Sequence, residues 1–401
     1  MVLQQVERVI IIVLDSLGIG AAPDAKDYGD AGSNTLGNVA RAVGGLKLPH
    51  LEKMGLGNLV PVAGVPPVPS PIGGWGRMQP ASAGKDTITG HWELAGVVLA
   101  NPFPLYPQGF PEEIISAIEK STGHKLFGNV NASGMEIIER LGKEHLRTGK
   151  LIVYTSGDSV MQIAAHESVI STDELYKICC IAREILQGKH AVGRVIARPF
   201  RGTPGHFQRT AHRKDFALEP PVKTILDRLQ EQRQTVIGIG KIGDIFAGRG
   251  LDYSVTTSNN KDGMAKTLEI IKECNSGLLF VNLVDFDMNY GHRNDPFGYG
   301  QALVEFDCFL PELQRAMAAK ALLIITADHG CDPTISGTDH TREYVPLLIA
   351  GTGCRSINLG TRKTFADVAA TIACLFNIQW HGPGTSFADE LIRSKEEVRG
   401  G

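Results

Sequence analysis

Short, continuously apolar segments rich in β-branched residues alternate along this chain with segments of helical periodicity, and this alternation restricts the fold more than any other feature. The strand-like segments are Val9–Leu14, Leu151–Tyr154, Arg194–Ala197, Thr235–Ile239, Leu278–Val284, Ala321–Thr326 and Val345–Ile349. Continuous apolar runs are typical of strands buried on both faces, as in parallel sheets. Together with the helical segments between them, they predict an α/β fold.

Two irregular stretches interrupt the alternation. Asn101–Pro111 contains four prolines, and Pro199–Pro221 is polar without a clear period. The segment between them has strand and helix patterns of its own. We therefore predict a core built from residues 1–100 and 219–401, with residues 101–218 inserted as a smaller domain.

Composition excludes several classes of partner. Hydrophobic residues make up 43% of the chain and the formal net charge is −3, so we expect a soluble protein with neither nucleic acid nor a membrane as partner. No segment approaches the roughly 18 apolar residues of a membrane span. Val9–Leu14 is too short for a signal-peptide core. The seven cysteines lack C-x-x-C spacing, which indicates reduced thiols and a cytoplasmic location.

Acidic residues follow three of the predicted strands. Asp15, Asp287 and Asp328 come at or shortly after the ends of the first strand and of the strands that begin at Leu278 and Ala321. Ligands of open parallel sheets bind beyond the carboxyl ends of the strands, so these side chains are expected to converge. Taken singly, each aspartate is better explained as a turn former or helix cap.

Histidines near these aspartates favour a metal site over three separate caps. His292 lies five residues after Asp287, His329 follows Asp328 directly, and His340 lies in the next acidic loop. Carboxylate and imidazole ligands together suit Mn, Fe or Zn better than Mg or Ca. The set contains enough ligands for two metal ions.

A polar segment, Gly84–Glu93, contains two hydroxyl groups that could act as nucleophiles. A hydroxyl needs a base or a metal to become nucleophilic at neutral pH. The spacing does not distinguish Thr87 from Thr89, and an ordinary solvated loop is the alternative explanation.

The segment Gly238–Gly243 matches the dinucleotide-binding pattern G-x-G-x-x-G. That site requires a helix that opens at the motif, and Gly243, Gly248 and Gly250 argue against a long helix there. We therefore do not expect a nucleotide. The more useful residue is Lys241, which the strand would place at the same crevice as the aspartates.

Five segments together resemble the alkaline phosphatase superfamily. In their order and amino-acid sequence they resemble the bacterial phosphopentomutases. They are Asp15–Gly20, Gly84–Glu93, Asn282–Asp287, Thr326–Gly330 and Gly337–Pro346. The likeness extends over almost the whole chain, and the Gly84–Glu93 segment and the inserted domain are its most specific parts. It implies an alkaline-phosphatase-like core with a mainly parallel sheet flanked by helices, plus a smaller inserted α/β cap domain.

The resemblance also implies roles for individual residues. One divalent ion would be held by Asp287, His292 and His340, and a second by Asp15, Asp328 and His329, with manganese the preferred metal. Thr87 rather than Thr89 would be the phosphorylated residue. The implied substrate contacts are Asp158 and Arg194 to ribose, Arg209 to the distal phosphate, and Lys241 of the core.

The activity implied by the resemblance is the interconversion of ribose 1-phosphate and ribose 5-phosphate, and of their 2-deoxyribose equivalents. It would run through a phosphothreonine and ribose 1,5-bisphosphate, with a sugar bisphosphate such as glucose 1,6-bisphosphate as activator. The inserted domain would keep water from the phosphothreonine. Pentose phosphates are the expected small-molecule partners, and the sequence makes no prediction of oligomeric state.

Three alternatives stand beside this activity. A metal-dependent phosphatase would share the metal site and the nucleophile. An enzyme like the cofactor-independent phosphoglycerate mutase resembles the core, but that family uses serine and has a longer inserted domain, so Thr87 argues against it. A metal-stabilised binding module would bind metal without turnover and without a phosphorylated threonine.

Overall fold

A computed structural model describes residues 6–317, 319–351 and 353–391. The chain forms two compact units, one that combines the chain up to Pro102 with the chain from Pro220, and a second formed by Phe103–Glu219. Within the described ranges the strands are β1 (Arg8–Leu14), β2 (Gly74–Met78), β3 (Leu126–Asn131), β4 (Leu151–Thr155), β5 (Val160–His166), β6 (Arg194–Arg201), β7 (Gln208–Arg209), β8 (Lys214–Ala217), β9 (Val236–Ile239), β10 (Tyr253–Val255), β11 (Gly277–Leu283), β12 (Ala321–Thr326), β13 (Val345–Gly351) and β14 (Ile357–Arg362).

The α-helices of the same ranges differ widely in length. They are α1 (Thr35–Ala42), α2 (Pro49–Lys53), α3 (Leu56–Leu59), α4 (Thr87–Leu94), α5 (Glu112–Thr122), α6 (Gly134–Thr148), α7 (Thr172–Ile185), α8 (Ile225–Glu231), α9 (Ile242–Ile245), α10 (Asn260–Glu273), α11 (Pro296–Ala316), α12 (Asp367–Leu375) and α13 (Ala388–Leu391). Among the described residues, no helix has both the length and the apolar character needed to cross a membrane.

The larger unit is built on an eight-stranded sheet. Its strand order is β10-β9-β11-β1-β12-β13-β2-β14, and neighbours pair in parallel except where β13 meets β12 and β2. All residues of β1, β11 and β12 are buried, which explains why these strands are continuously apolar in sequence. The sheet is therefore mainly parallel, as the sequence predicted.

Strand register brings the ends of three central strands to one level. In the parallel pairs, Leu14 of β1 lies opposite Leu283 of β11, and Val13 lies opposite Thr326 of β12. The chain segments that leave these strands therefore start side by side. One of them continues into a one-turn π-helix, Phe286–Tyr290, which is a form often found at functional sites.

The smaller unit has a six-stranded mixed sheet with helices against both faces. Its strand order is β3-β4-β5-β6-β7, and β8 also pairs with β6. Alternate residues of β4 belong to two separate apolar clusters, one containing side chains of α5 and α7 and the other containing side chains of α6. Because successive strand residues point to opposite faces, the two clusters cover opposite faces of this sheet.

Candidate metal centre

Three buried carboxylates lie at the shared edge of β1, β11 and β12. Asp15 follows β1 directly and is fully buried, Asp287 lies in the π-helix after β11, and Asp328 lies two residues after β12. Only 3% of Asp287 and 2% of Asp328 are exposed. Buried carboxylates are costly unless a positive charge or several hydrogen bonds compensate them, so this edge of the sheet requires a cation or protonated neighbours.

Asp15, Asp328 and His329 form one compact group, and their candidate ligand atoms all lie within 4.8 Å of one another. The Nε2 atom of His329 is 3.5 Å from Asp15 Oδ1 and 3.2 Å from Asp328 Oδ2. The opposite ring nitrogen, Nδ1, donates to the carbonyl of Gly330 at 3.0 Å. This bond leaves Nε2 as the atom available to a metal.

Asp287 lies between two further histidines. Its Oδ2 atom is 3.2 Å from Nε2 of His292, and its Oδ1 atom is 3.4 Å from Nε2 of His340. Nδ1 of His292 donates to the carbonyl of Thr338 at 2.5 Å, so its Nε2 faces the Asp287 carboxylate, and this contact raises the pKa of the imidazole. The structure thus brings together all six residues predicted as metal ligands.

The grouping of these ligand atoms differs in detail from the sequence prediction. Asp287 and His340 lie close to His329, while Asp287 and His292 lie close to Cys331. His329 therefore borders both predicted ion positions. Cys331 was not predicted; its thiol lies 3.9 Å from His292 Nδ1, and burial raises its pKa, which keeps it protonated unless a metal binds.

Several atoms of the cluster have no hydrogen-bond partner. Within the described ranges, these buried atoms include Asp15 Oδ1, Asp287 Oδ1, Asp328 Oδ2 and His340 Nε2. Buried polar atoms are rarely left in this state, because the loss of hydration is not compensated. All four belong to the predicted ligands, and their carboxylate and imidazole chemistry suits a transition metal. The residues therefore fit divalent cations.

The pKa shifts of two residues in the cluster also indicate a site for a cation. Burial and the neighbouring Asp328 raise the pKa of Asp15 to about 7. Although burial opposes protonation of His329, the Asp328 carboxylate beside it raises the pKa of its imidazole to about 10. In the absence of metal a proton therefore compensates the carboxylates, and a divalent cation would take its place.

The two threonines of the Gly84–Glu93 segment have different surroundings. Thr87 is the first residue of α4, and its Oγ1 atom lies 3.0 Å from His329 Nε2. Thr89 instead donates its hydroxyl to Asp86 at 2.5 Å, and its backbone N–H is capped by the same carboxylate. The structure therefore brings the Thr87 hydroxyl to the cluster and uses the Thr89 hydroxyl in the helix cap.

A buried arginine holds the loop that leads to Thr87. The guanidinium of Arg342 donates to the carbonyls of Pro80, Ser82 and Gly84 at 3.0, 2.6 and 2.7 Å. It also pairs with the Asp24 carboxylate at 2.9 Å. Sequence analysis did not identify this role, because Arg342 is about 260 residues from the carbonyls that it binds.

The predicted substrate contacts lie in both units and are described separately. In the larger unit, Lys241 follows β9, and its charge lowers the pKa of Asp15 against the larger effect of burial. In the smaller unit, Asp158 lies in the exposed turn between β4 and β5, and Arg194 begins β6 with its guanidinium 3.6 Å from Asp215. Arg209 lies in β7, and a Cβ at position 134 would collide with its guanidinium.

Comparison with known proteins gives matches over nearly the whole chain. The family model of the metalloenzyme superfamily matches residues 7–380. A phosphopentomutase from Carboxydothermus hydrogenoformans is 58% identical over 386 residues, which cover 96% of this chain and 99% of that protein. A phosphopentomutase from Clostridium novyi is 54% identical over 389 residues, which cover 97% of this chain and 100% of that protein.

A solved structure supports the assigned fold. A protein from Pyrococcus horikoshii superposes with a TM-score of 0.50 at 17% identity, covering 96% of this chain and 100% of that one. This likeness extends across both units, while the sequence identity to curated relatives is high enough to define the family. With the sequence match, the sheet and the cluster of acidic and imidazole ligands in agreement, the chain belongs to the phosphopentomutase family of the metalloenzyme superfamily.

Proposed function

We propose that this chain interconverts ribose 1-phosphate and ribose 5-phosphate, and the 2-deoxyribose equivalents, by way of phosphate carried on Thr87. The observation that carries this proposal is the 3.0 Å distance between Thr87 Oγ1 and His329 Nε2, at the edge of the carboxylate and imidazole cluster. A hydroxyl at that place meets the requirement for activation of a threonine nucleophile. Family membership supplies the substrate class.

The proposed cofactor is a pair of divalent ions, with Mn²⁺ the expected metal. One ion would be held by Asp15, Asp328 and His329, and the other by Asp287, His292 and His340. When bound, the ions would supply the positive charge that stabilises the attacking and leaving oxygens of an in-line phosphoryl transfer. A sugar bisphosphate such as glucose 1,6-bisphosphate would first load phosphate onto Thr87.

The proposed reaction consists of two phosphoryl transfers. In the proposed cycle, the O1 hydroxyl of ribose 5-phosphate gives up its proton and attacks the phosphorus on Thr87, so that the Oγ1–phosphorus bond breaks and ribose 1,5-bisphosphate forms. Thr87 Oγ1 then attacks the phosphorus on O5, and O5 leaves with a proton as ribose 1-phosphate is released. The N-terminus of α4, where Thr87 lies, favours the phosphate electrostatically.

Four basic or acidic residues are proposed as sugar-phosphate contacts. Lys241 and Arg209 carry cationic donors suited to a phosphate, and Arg194 and Asp158 can bond to ribose hydroxyls. The seven free cysteines support the further proposal that the protein works in the cytoplasm, where thiols stay reduced.

The test is to load the full chain with Mn²⁺ and glucose 1,6-bisphosphate, add ribose 5-phosphate, and follow ribose 1-phosphate and free phosphate by ³¹P NMR. We expect ribose 1-phosphate as the main product and a phosphate located on Thr87 by peptide mass spectrometry. Thr87→Val should abolish both, because the acceptor oxygen is lost.

Thr89→Ser is the matched control, since serine keeps the hydroxyl that Asp86 accepts. It should retain most of the turnover. Phosphate on residue 89, or undiminished turnover by Thr87→Val, would contradict the nucleophile assignment. Release of free phosphate without ribose 1-phosphate would instead identify a phosphatase.

A further inference from the structure

We propose that His91 and Asn282 form a buried chain of polar contacts that positions the Asp15 and Asp328 carboxylates for metal binding. The proposal rests on the metal site of the proposed function and adds two residues that are not metal ligands. They act through the carboxylates, so they are positioning residues.

His91 connects the nucleophile helix to one carboxylate. It lies one turn after Thr87 in α4 and is fully buried. Its Nδ1 atom is 2.9 Å from the carbonyl oxygen of Thr87 and 3.1 Å from Asp328 Oδ2. Both neighbours are acceptors, so Nδ1 carries a proton; it donates this proton to the Thr87 carbonyl and at the same time faces the Asp328 carboxylate.

Asn282 connects the other carboxylate to the same imidazole. It is the penultimate residue of β11 and is fully buried. Its Nδ2 atom is 2.8 Å from Asp15 Oδ2 and 3.3 Å from His91 Nε2, so each amide hydrogen has one partner. Rotation of the amide would place its oxygen against the Asp15 carboxylate. Asn282 therefore donates to both Asp15 and His91 Nε2.

The four side chains contact one another in the order Asp15, Asn282, His91, Asp328. The first and the last of them belong to the same candidate ion group. Asn282 occupies one oxygen of Asp15 and leaves Oδ1, an atom without a hydrogen-bond partner among the described residues, for a cation. Hydrogen bonds of this kind fix the orientation of metal ligands, and their loss typically weakens metal affinity 10- to 100-fold.

Close packing of α4 makes the contact possible. A Cβ at position 90 would lie 2.1 Å from the backbone oxygen of Asp328, so only glycine allows the helix to approach that loop. The neighbouring residue on the helix, His91, is thereby brought within hydrogen-bonding distance of the Asp328 carboxylate. The close approach of α4 to the Asp328 backbone therefore requires glycine at position 90.

The test is Mn²⁺ titration of the metal-stripped full chain, followed by electron paramagnetic resonance of free Mn²⁺ and by calorimetry. In His91→Phe, which keeps the ring without its nitrogens, we expect the dissociation constant of one ion to rise about 10- to 100-fold. His91→Asn keeps a neutral donor near the Nδ1 position and should show a smaller rise. Asn282→Leu should weaken the same ion, and the double variant should be less than additive because one chain is cut twice.

Trp92→Phe is the control on the same helix. It removes the indole hydrogen bond to the Ile245 carbonyl, at 3.0 Å, and leaves the four-residue chain intact. It should lower the thermal stability of the metal-free protein without changing either dissociation constant.

Two results overturn the inference in distinguishable ways. If the unaltered protein binds two Mn²⁺ ions and His91→Phe and His91→Asn bind them equally well, His91 has only a structural role. If the unaltered protein binds no Mn²⁺, the metal site of the proposed function fails and the inference fails with it.

Discussion

Individual residues show how burial assigns chemistry in this protein. Thr87 and Thr89 are two positions apart and chemically identical, yet one hydroxyl contacts His329 and the other is committed to Asp86. The same helix therefore contains one hydroxyl at the candidate metal cluster and one hydroxyl used in the helix cap. The resemblance to phosphopentomutases selected Thr87, and the hydrogen bonds supply a physical reason for that selection.

Burial also creates a pH-sensitive position away from the metal cluster. In the smaller unit, the fully buried His145 donates from Nδ1 to the Lys150 carbonyl at 2.6 Å and accepts the His166 N–H at Nε2, at 2.8 Å. This arrangement requires a neutral ring, and burial lowers the pKa of the imidazole. Between that lowered pKa and about 6.5, the unfolded chain binds more protons than the folded one.

We therefore predict that the smaller unit loses stability as the pH falls below about 6.5, because the unfolded chain then takes up a proton that the folded His145 resists. Hydrogen exchange of β5 amides, corrected for the intrinsic rate, should show faster opening at pH 5.5 than at pH 7.5. His145→Asn keeps a neutral donor and should be less stable at pH 7.5 but less sensitive to pH. Equal pH dependence in both proteins would contradict the role of His145.

At the scale of elements, the site depends on loops held by distant side chains. Arg342 binds three carbonyls of the loop before α4, and Tyr28 donates its hydroxyl to the carbonyl of Ala83 at 2.7 Å. The Glu93 carboxylate also accepts two backbone N–H groups of this loop. The conformation of the loop, and with it the place of Thr87, therefore depends on these contacts.

We predict that Arg342→Lys lowers turnover about 100-fold, because lysine cannot span three carbonyls and a displacement of about 1 Å at the nucleophile has that effect. Hydrogen exchange of the peptide covering residues 79–86 should accelerate. Arg249→Lys is the control, since Arg249 also bonds a carboxylate and a carbonyl, those of Asp227 and Pro220. Arg249→Lys should leave the exchange rate of that peptide unchanged. If residues 79–86 exchange as slowly in Arg342→Lys as in the unaltered protein, Arg342 does not hold the loop.

At the scale of the whole molecule, the two units have separate sheets, and the two apolar clusters on the sheet of the smaller unit lie entirely within that unit. The larger unit contains the candidate metal ligands and Thr87, which are the parts that a phosphatase would share. A mutase must also retain the bisphosphate between two transfers. We propose that Asp158, Arg194 and Arg209 of the smaller unit meet that requirement.

We predict that Arg209→Ala lowers ribose 1-phosphate formation at least about tenfold while Thr87 is still phosphorylated by glucose 1,6-bisphosphate, because a lost charged hydrogen bond costs about 1.5–3 kcal/mol. Free phosphate and ribose 1,5-bisphosphate should rise relative to ribose 1-phosphate. Arg147→Ala, a change on α6 of the same unit, is the control. A proportional fall of all three products would show that Arg209 does not govern retention of the intermediate.

The sequence alone predicted the α/β class, the mainly parallel core sheet and the convergence of three aspartates at its edge. These features follow from local rules: buried parallel strands are continuously apolar, and residues just after them meet at one edge because the strands point the same way. Asp15, Asp287 and Asp328 could therefore be placed together without knowledge of the packing.

Only the tertiary structure decided how those residues are supported. His91 and Asn282 are separated by 191 positions, and Arg342 by about 260 from the carbonyls it binds, so no spacing rule connects them. His329 borders both ion positions, and Cys331 joins the second, because of how the loops pack. Hydrogen bonds between distant segments form only when the packed chain fixes both partners, and a one-dimensional pattern does not contain that geometry.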